Sequence, residues 1–245
     1  MKTYTRDLCL ETRDCDMMGT WRPGAVLESL QETAGAHSEI IGVGRNALSR
    51  SGLAWVLSRL EVQMDRTPRM GEKVRLVTWP APVRRWFFPR YFVGADEKGR
   101  EFFRAASLWV LFDLNTRQMS RPDPILALMP DNRDLPAPLG LPGNVAELSE
   151  GLLTEDRFFA KYTDLDINQH VNNAHYIDWA CNALGIACMR ERELAHFEIS
   201  YNAEIRPDQE IRTELRRMEN AFSFSGYHGE KRCFDVGGTL RNREQ

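Results

Sequence analysis

The sequence predicts an α+β protein built from one unit used twice, each unit a long helix followed by antiparallel strands. Two observations predict it. A segment recurs: Asp14-Cys15-Asp16-Met17-Met18-Gly19-Thr20-Trp21-Arg22-Pro23-Gly24-Ala25-Val26-Leu27 is answered by Asp164-Leu165-Asp166-Ile167-Asn168-Gln169-His170-Val171-Asn172-Asn173-Ala174-His175-Tyr176-Ile177. Both copies open Asp-x-Asp and both run into helix-patterned sequence. Each helix pattern then gives way to alternating apolar and polar residues broken by Pro, Gly and Asp.

Taken in order, the first helix starts near Pro23, a favourable first-turn residue. Its apolar positions Val26, Leu27, Leu30, Ala34 and Ile41 follow helical spacing, and Gly42 is a natural stop. The second helix starts near Asn172 or Asn173, either of which can cap it, and its stripe is Tyr176, Ile177, Ala180, Leu184 and Ala187. Strand sequence Leu60–Val74 aligns with Phe197–Ile211, and Arg104–Trp109 with Asp235–Leu240, whose small residues suggest close packing on the helix. Between the units, residues 117–150 hold six of the 12 prolines. The expected division is therefore residues 1–120, a Pro-rich linker over 121–150, and residues 151–245. Two such units can pair sheet to sheet as a homodimer would.

The chain has 245 residues, 42% hydrophobic and 27% charged, with a net charge of −3. That suits a globular protein with a sizeable core and gives no general signal for nucleic acid. No apolar run approaches the roughly 20 residues of a membrane span. The start, Met1 to Asp7, lacks the apolar stretch of a signal peptide, so a cytoplasmic protein is expected. The five cysteines are odd in number and without CxxC spacing, so unpaired thiols are expected, with Cys181 and Cys188 on the apolar pattern of the second helix. Neither a metal nor a cofactor is expected.

The chemistry concentrates between Asp164 and Asn173. In an extended segment alternate residues point the same way, so Asp166, Asn168 and His170 are expected to face one cavity. The N–H groups of Val171, Asn172 and Asn173, at a helix start, would point back toward it. The repeat supplies a control. Asn168 aligns with Met18, His170 with Thr20 and Glu204 with Thr67, so the fold is made once without these three polar groups. Asp166 aligns with Asp16, which gives it a structural reading as well.

The segment Asp164 to Asn173, followed by Tyr176-Ile177-x-Trp179, resembles the plant and bacterial acyl-ACP thioesterases, which carry Asp-x-Asn-x-His-Val-Asn-Asn at this place. They also carry Tyr-x-x-Glu-Cys on a following strand. Tyr201-Asn202-Ala203-Glu204-Ile205 keeps the Glu and has Ile for the Cys. The region Trp79 to Trp86, with Arg84-Arg85-Trp86, is similar to the family's first half. The resemblance implies a tandem, or double, hotdog fold, each half a long helix wrapped by an antiparallel sheet. It also implies hydrolysis of fatty acyl-ACP, with Glu204 at the catalytic position.

A thioester carbonyl needs a water, a base and a group to polarise the C=O. Glu204, read as a strand residue among apolar neighbours, is the expected base, with burial raising its pKa. Asn168 can hold the water or the carbonyl. His170 can bond the water or Glu204, or protonate the leaving thiolate. Asp166 can orient Asn168. Since Ile205 replaces the family's cysteine, a papain-like route is closed there, and a Glu nucleophile stays open. His37, His175, His196 and His228 have no evident partners.

The first half is expected to bind rather than react. Met17, Met18, Trp21, Trp55, Val56, Leu57 and Met64 are candidates for an acyl channel, with Val171, Asn172 and Asn173 at its catalytic end. The expected partner is an acyl carrier protein bearing a fatty acyl phosphopantetheine thioester. Its acidic surface calls for a basic face, and Arg84, Arg85, Arg90, Arg206, Arg212, Arg216 and Arg217 are candidates. A monomer and a homodimer are both compatible with the duplication. The rival readings are an acyl-CoA thioesterase of the same fold, an enoyl-thioester hydratase and a non-catalytic acyl-binding protein, the last without any helix-turn-helix output segment.

Overall fold

The computed structural model describes residues 1–243. Eleven strands form one antiparallel sheet, and a long helix of 18 residues and a shorter one of 10 pack on one of its faces. The first half contains β1 (Tyr4–Cys9), α1 (Pro23–Ile40), α2 (Arg45–Arg50), β2 (Leu53–Met64), β3 (Lys73–Pro80), β4 (Phe87–Ala95), β5 (Glu101–Asp113) and β6 (Gln118–Ser120). After α3 (Asp123–Leu128), the second half contains β7 (Leu152–Phe159), α4 (His175–Leu184), α5 (Ile186–Glu191), β8 (Arg192–Tyr201), β9 (Glu210–Met218), β10 (Ala221–His228) and β11 (Lys231–Asn242). The strand order is β1-β3-β4-β5-β2-β8-β11-β10-β9-β7, with β6 beside β5.

The halves meet where β2 pairs antiparallel with β8, from Arg59 opposite Ser200 to Gln63 opposite His196. Glu61 faces Glu198 at the centre of this pairing. Strand alternation sends Leu60, Val62, Phe197 and Ile199 into a core shared with Leu27, Leu30, Ile177 and Ala180 from the two helices. This is the sheet-to-sheet pairing the repeat implied, made within one chain.

The first helix begins at Pro23 and turns out at Gly42, as its sequence predicts. The second departs from expectation. It begins at His175, because Asn172 Oδ1 accepts the Ala174 N–H at 3.0 Å in a turn that precedes the helix. It breaks at Gly185, which leaves Ala187 exposed on α5 rather than on the buried stripe. The helix starts are locked across the halves. Asp178 of α4 accepts the Gly24 N–H at 3.2 Å and pairs with Arg22. A Cβ on Gly24 would lie 2.3 Å from that carboxylate, so glycine is the residue that lets Asp178 approach.

Residues 121–150 are strapped to the protein rather than hanging as a free tether. Ile125, Leu126 and Met129 pack on Leu48, Leu53, Phe88 and Leu111. Asn132 Nδ2 donates to Lys2 O and Pro80 O at 2.9 and 2.7 Å. Leu135 and Leu139 then cover Trp79, Tyr91 and Ala106 on the sheet face away from the helices. Gly237 makes room for this segment rather than for a helix, since a Cβ there would meet Val145 at 2.7 Å.

Candidate active site

The repeat is reproduced hydrogen bond by hydrogen bond. In the first half Asp16 N–H donates to Thr20 O, Gly19 N–H to Asp16 O, Arg22 N–H to Asp14 O, and Trp21 N–H to Pro68 O. In the second half the same bonds run Asp166 to His170, Gln169 to Asp166, Asn172 to Asp164, and Val171 to Ile205. Ile205 thus corresponds to Pro68, and Glu204 to Thr67. The segment is therefore a tight turn, not the extended run read from alternation. Gln169 takes φ +62° where the first half has Gly19 at +70°.

The turn sorts the predicted residues differently from a common row. Asp166 Oδ1 accepts the Asn168 peptide N–H at 2.8 Å, and its Oδ2 accepts Asn168 Nδ2 at 3.1 Å. Asp166 thereby orients the Asn168 amide, as expected. Arg45 Nη2, from α2, donates to the other end of that amide at 3.4 Å. His170 instead places Nε2 3.3 Å from Glu204 Oε2.

Glu204 corrects two expectations. It lies in the loop between β8 and β9, exposed, not on a strand among apolar neighbours. Partial burial does push its carboxyl up. The hydrogen bond from Arg206 and the charges of His170, Arg206 and Arg117 outweigh that and hold it below the usual glutamate value. Arg206 donates to Glu204 Oε1 through Nη2 at 2.6 Å, which leaves Oε2 on the His170 side.

The helix-start donors also differ from expectation. The Val171 and Asn172 N–H groups are spent on Ile205 O and Asp164 O, at 3.0 and 2.8 Å. Among the described residues the Asn173 N–H has no partner. On its other side, Tyr201 Oη donates to Asn173 O at 3.0 Å and anchors the following peptide group. Gln31 of α1 donates to Asn172 Oδ1 at 3.3 Å, so the first half touches the turn twice, through Arg45 and Gln31.

Beside Gln31 and Tyr201 a small apolar cavity of about 10 Å³ lies between α1 and the sheet. Leu27, Leu30, Leu57, Leu60, Phe92, Ser107 and Trp109 form its walls. Of the predicted channel residues, Leu57 reaches it. Met17 and Met18 are exposed in the first-half turn, and Val56 is exposed too. Trp55 packs on Phe88 and donates its Nε1 to Val43 O. Trp21 and Met64 line instead a cavity of about 20 Å³ at the first-half counterpart of the site. That counterpart is closed by Arg243, whose Nη2 and Nη1 donate to Asp16 Oδ2 and Thr20 Oγ1, each at 2.7 Å.

The predicted basic face is also rearranged. Arg90 is buried, so it cannot dock anything. Arg212 lies over Tyr227 and pairs with Glu214 and Glu155 on the second-half sheet. Arg84 and Arg85 are exposed in the β3–β4 loop, and Arg216 and Arg217 lie on β9. Arg206 stands at the site, joined by exposed Arg45 and Arg117, which sequence reasoning missed.

The remaining histidines all have partners. His37 meets Arg90, His175 lies 3.8 Å from both Asp164 and Asp178, and His228 Nδ1 meets Glu210 O. His196 sits between Glu61 and Glu198 on the far face of the sheet. This is the one group among the described residues with metal-ligand character, with His196 Nε2 3.1 Å from Glu61 Oε1 and 3.8 Å from Glu198 Oε1 across the β2–β8 seam. Among the described residues no helix is long and apolar enough to cross a membrane.

Comparison with known proteins bears on the family and the fold. The acyl-ACP thioesterase N-terminal domain family matches residues 1–128, and the C-terminal domain family matches residues 150–232. The chain is 29% identical over 211 residues to the chloroplastic palmitoyl-acyl carrier protein thioesterase of Gossypium hirsutum, covering 77% of this chain and 48% of the relative. It is 27% identical over 206 residues to the chloroplastic dodecanoyl-[acyl-carrier-protein] hydrolase of Cinnamomum camphora, covering 77% and 53%. The chain spans about half the length of the curated relatives it matches. Among solved structures, an acyl-ACP thioesterase from Bacteroides thetaiotaomicron superposes with a TM-score of 0.87 at 27% identity over 98% of each chain. The 12:0-ACP thioesterase from Umbellularia californica shares the fold, with a TM-score of 0.82 at 21% identity over 98% of each chain.

Proposed function

The chain belongs to the acyl-ACP thioesterase family, and on that premise we propose that it hydrolyses fatty acyl-ACP to a free fatty acid and holo-ACP. The observation that carries the reading is the pairing of Asp166 with Asn168 and of His170 with Glu204 in one half, opposite a counterpart that Arg243 has closed. Relatives named for acyl-carrier-protein hydrolysis support it.

Water attacks the thioester carbon and gives its proton to the Glu204–His170 pair. Glu204 is ionised at neutral pH and is the base in this reading. Its lowered proton affinity makes it a mild base, which suffices because a thiolate leaves without much help. The oxyanion takes the free Asn173 N–H and the second Nδ2 hydrogen of Asn168. When the C–S bond breaks, the thiolate recovers the proton held by the pair, which restores the ionised carboxylate. A second reading has support in the same contact: His170 donates from Nε2 to Glu204, which leaves Nδ1 as the basic nitrogen, with Glu204 orienting the ring. Exposed Arg45, Arg117 and Arg206 around the turn suit an acidic carrier and the phosphate of its prosthetic arm.

The test follows thiol release from matched acyl-ACP and acyl-CoA substrates with wild type, Glu204→Ala and Glu204→Gln. Release from acyl-ACP that drops at least a hundredfold in both variants supports the reading. Equal rates on both carriers would make it a CoA thioesterase, and no release from either would refute hydrolysis. If Glu204 is the base, activity is kept above its pKa and is lost only as pH falls below the ordinary glutamate value of 4.5. An acid limb higher than that would move the base to His170.

A further inference from the structure

Arg90 is a buried cation that the chemistry above does not use. It is 6% exposed. Its Nη1 lies 3.1 Å from His37 Nδ1 and 3.2 Å from Thr78 Oγ1, and its Nη2 lies 3.4 Å from Ser38 Oγ. All three are neutral acceptors. Among the described residues no carboxylate pairs with it, and burial alone pulls its pKa to about 10, so it keeps its charge at neutral pH. An unpaired buried guanidinium is costly, and a fold that keeps one has placed a polar stop inside an apolar layer.

Its position gives the stop a meaning. Cross-strand partners run Ile199–Leu60–Ser107–Arg90 in a single row across β8, β2, β5 and β4. Strand neighbours in a row share a face, so Arg90 lies beside Ser107 on the face that carries the cavity. The row starts next to Tyr201, which holds the catalytic turn, and α1 lies over it from Gln31 to His37. Phe92, two residues along β4 from Arg90, is a cavity wall.

We propose that Arg90, held by His37, Thr78 and Ser38, is the floor of the acyl channel and sets an upper limit on chain length. This rests on the thioesterase reading for the channel's mouth. From β8 to β4 are three strand spacings, about 14 Å, roughly the length of a ten- to twelve-carbon chain. A longer chain would have to press methylenes against a charged group that cannot move to water. The substrate class is therefore medium-chain acyl thioesters.

Binding tests this apart from hydrolysis. Tryptophan fluorescence, with Trp109 in the cavity wall, is followed during titration with free fatty acids from hexanoate to octadecanoate. Affinity is expected to rise to decanoate or dodecanoate and to fall at least tenfold by hexadecanoate. In Arg90→Ala and Arg90→Met the fall should vanish, and hexadecanoate should bind at least as well as dodecanoate. A wild type that binds hexadecanoate more tightly than dodecanoate would overturn the proposal, and that result needs no variant to fold. So would folded variants that keep the fall. Thiol release from an acyl-ACP series should share the same optimum. No release from any acyl-ACP, with the binding optimum present, would sink the hydrolytic reading and leave the floor standing.

Discussion

Acidifying the protein should cost it stability through one side chain, His37. The ring is fully buried between Tyr4, with which it stacks, and Arg90. Burial first, and then the Arg90 charge, lower its pKa from 6.5 to about 4. Arg90 must donate to Nδ1, so the neutral ring carries its proton on Nε2 and donates that to Met1 O at 3.3 Å. Between those two pKa values the unfolded chain binds the proton and the folded chain does not. Stability is therefore whole above pH 6.5 and falls as pH drops toward 4. At about 1.4 kcal/mol per tenfold in proton affinity, the full loss is about 3 kcal/mol, of which about 2 kcal/mol is gone by pH 5. With a urea slope of about 3 kcal/mol per molar, the midpoint should drop by roughly 0.7 M between pH 7 and pH 5. The assay is urea unfolding at both pH values for wild type and for His37→Gln, whose amide can replace both hydrogen bonds without titrating. The difference between the two proteins isolates His37. Equal losses in both would refute the argument, and with it the neutral ring under Arg90.

Two further outcomes follow from contacts already described. Asp166→Ala frees both the peptide and the amide of Asn168, so kcat should fall about a hundredfold with KM little changed; steady-state kinetics on a protein with unaltered circular dichroism checks it. Arg243→Ala strands the partly buried Asp16 and should cost about 3 kcal/mol, read as a drop of about 9 °C in Tm, while thiol release at low temperature stays intact.

The elements were legible where local pattern and burial agree. Pro23 and Gly42 bound α1, and the Leu60 and Phe197 strands alternate as expected, because each has one wet and one dry face. The repeat was legible as well, down to the match of Glu204 with Thr67. The turn at Asp166 is not legible from its own residues, because Asp-x-Asn fits both an extended strand and an aspartate-capped turn. The deciding signal stood in the other copy: Gly19 aligns with Gln169, and a glycine there asks for the positive φ that both residues adopt. Arg90 looked like part of a charged run with Arg84 and Arg85. Its neighbours at alternate positions, Phe88 and Phe92, mark it as inward-facing on β4. Arg243 had no local signal, since its partners Asp16 and Thr20 lie more than 200 residues away.

The lock of Arg243 on Asp16 bears on how such a protein can change. In a symmetric pair of identical chains, every substitution is written twice, so a side chain that seals one site seals both. Here the two turns are separate stretches of one polypeptide, and a seal over Asp16 leaves Asp166 untouched. Tethering the halves releases them from identity. Each copy can change its own side chains at no loss to its twin.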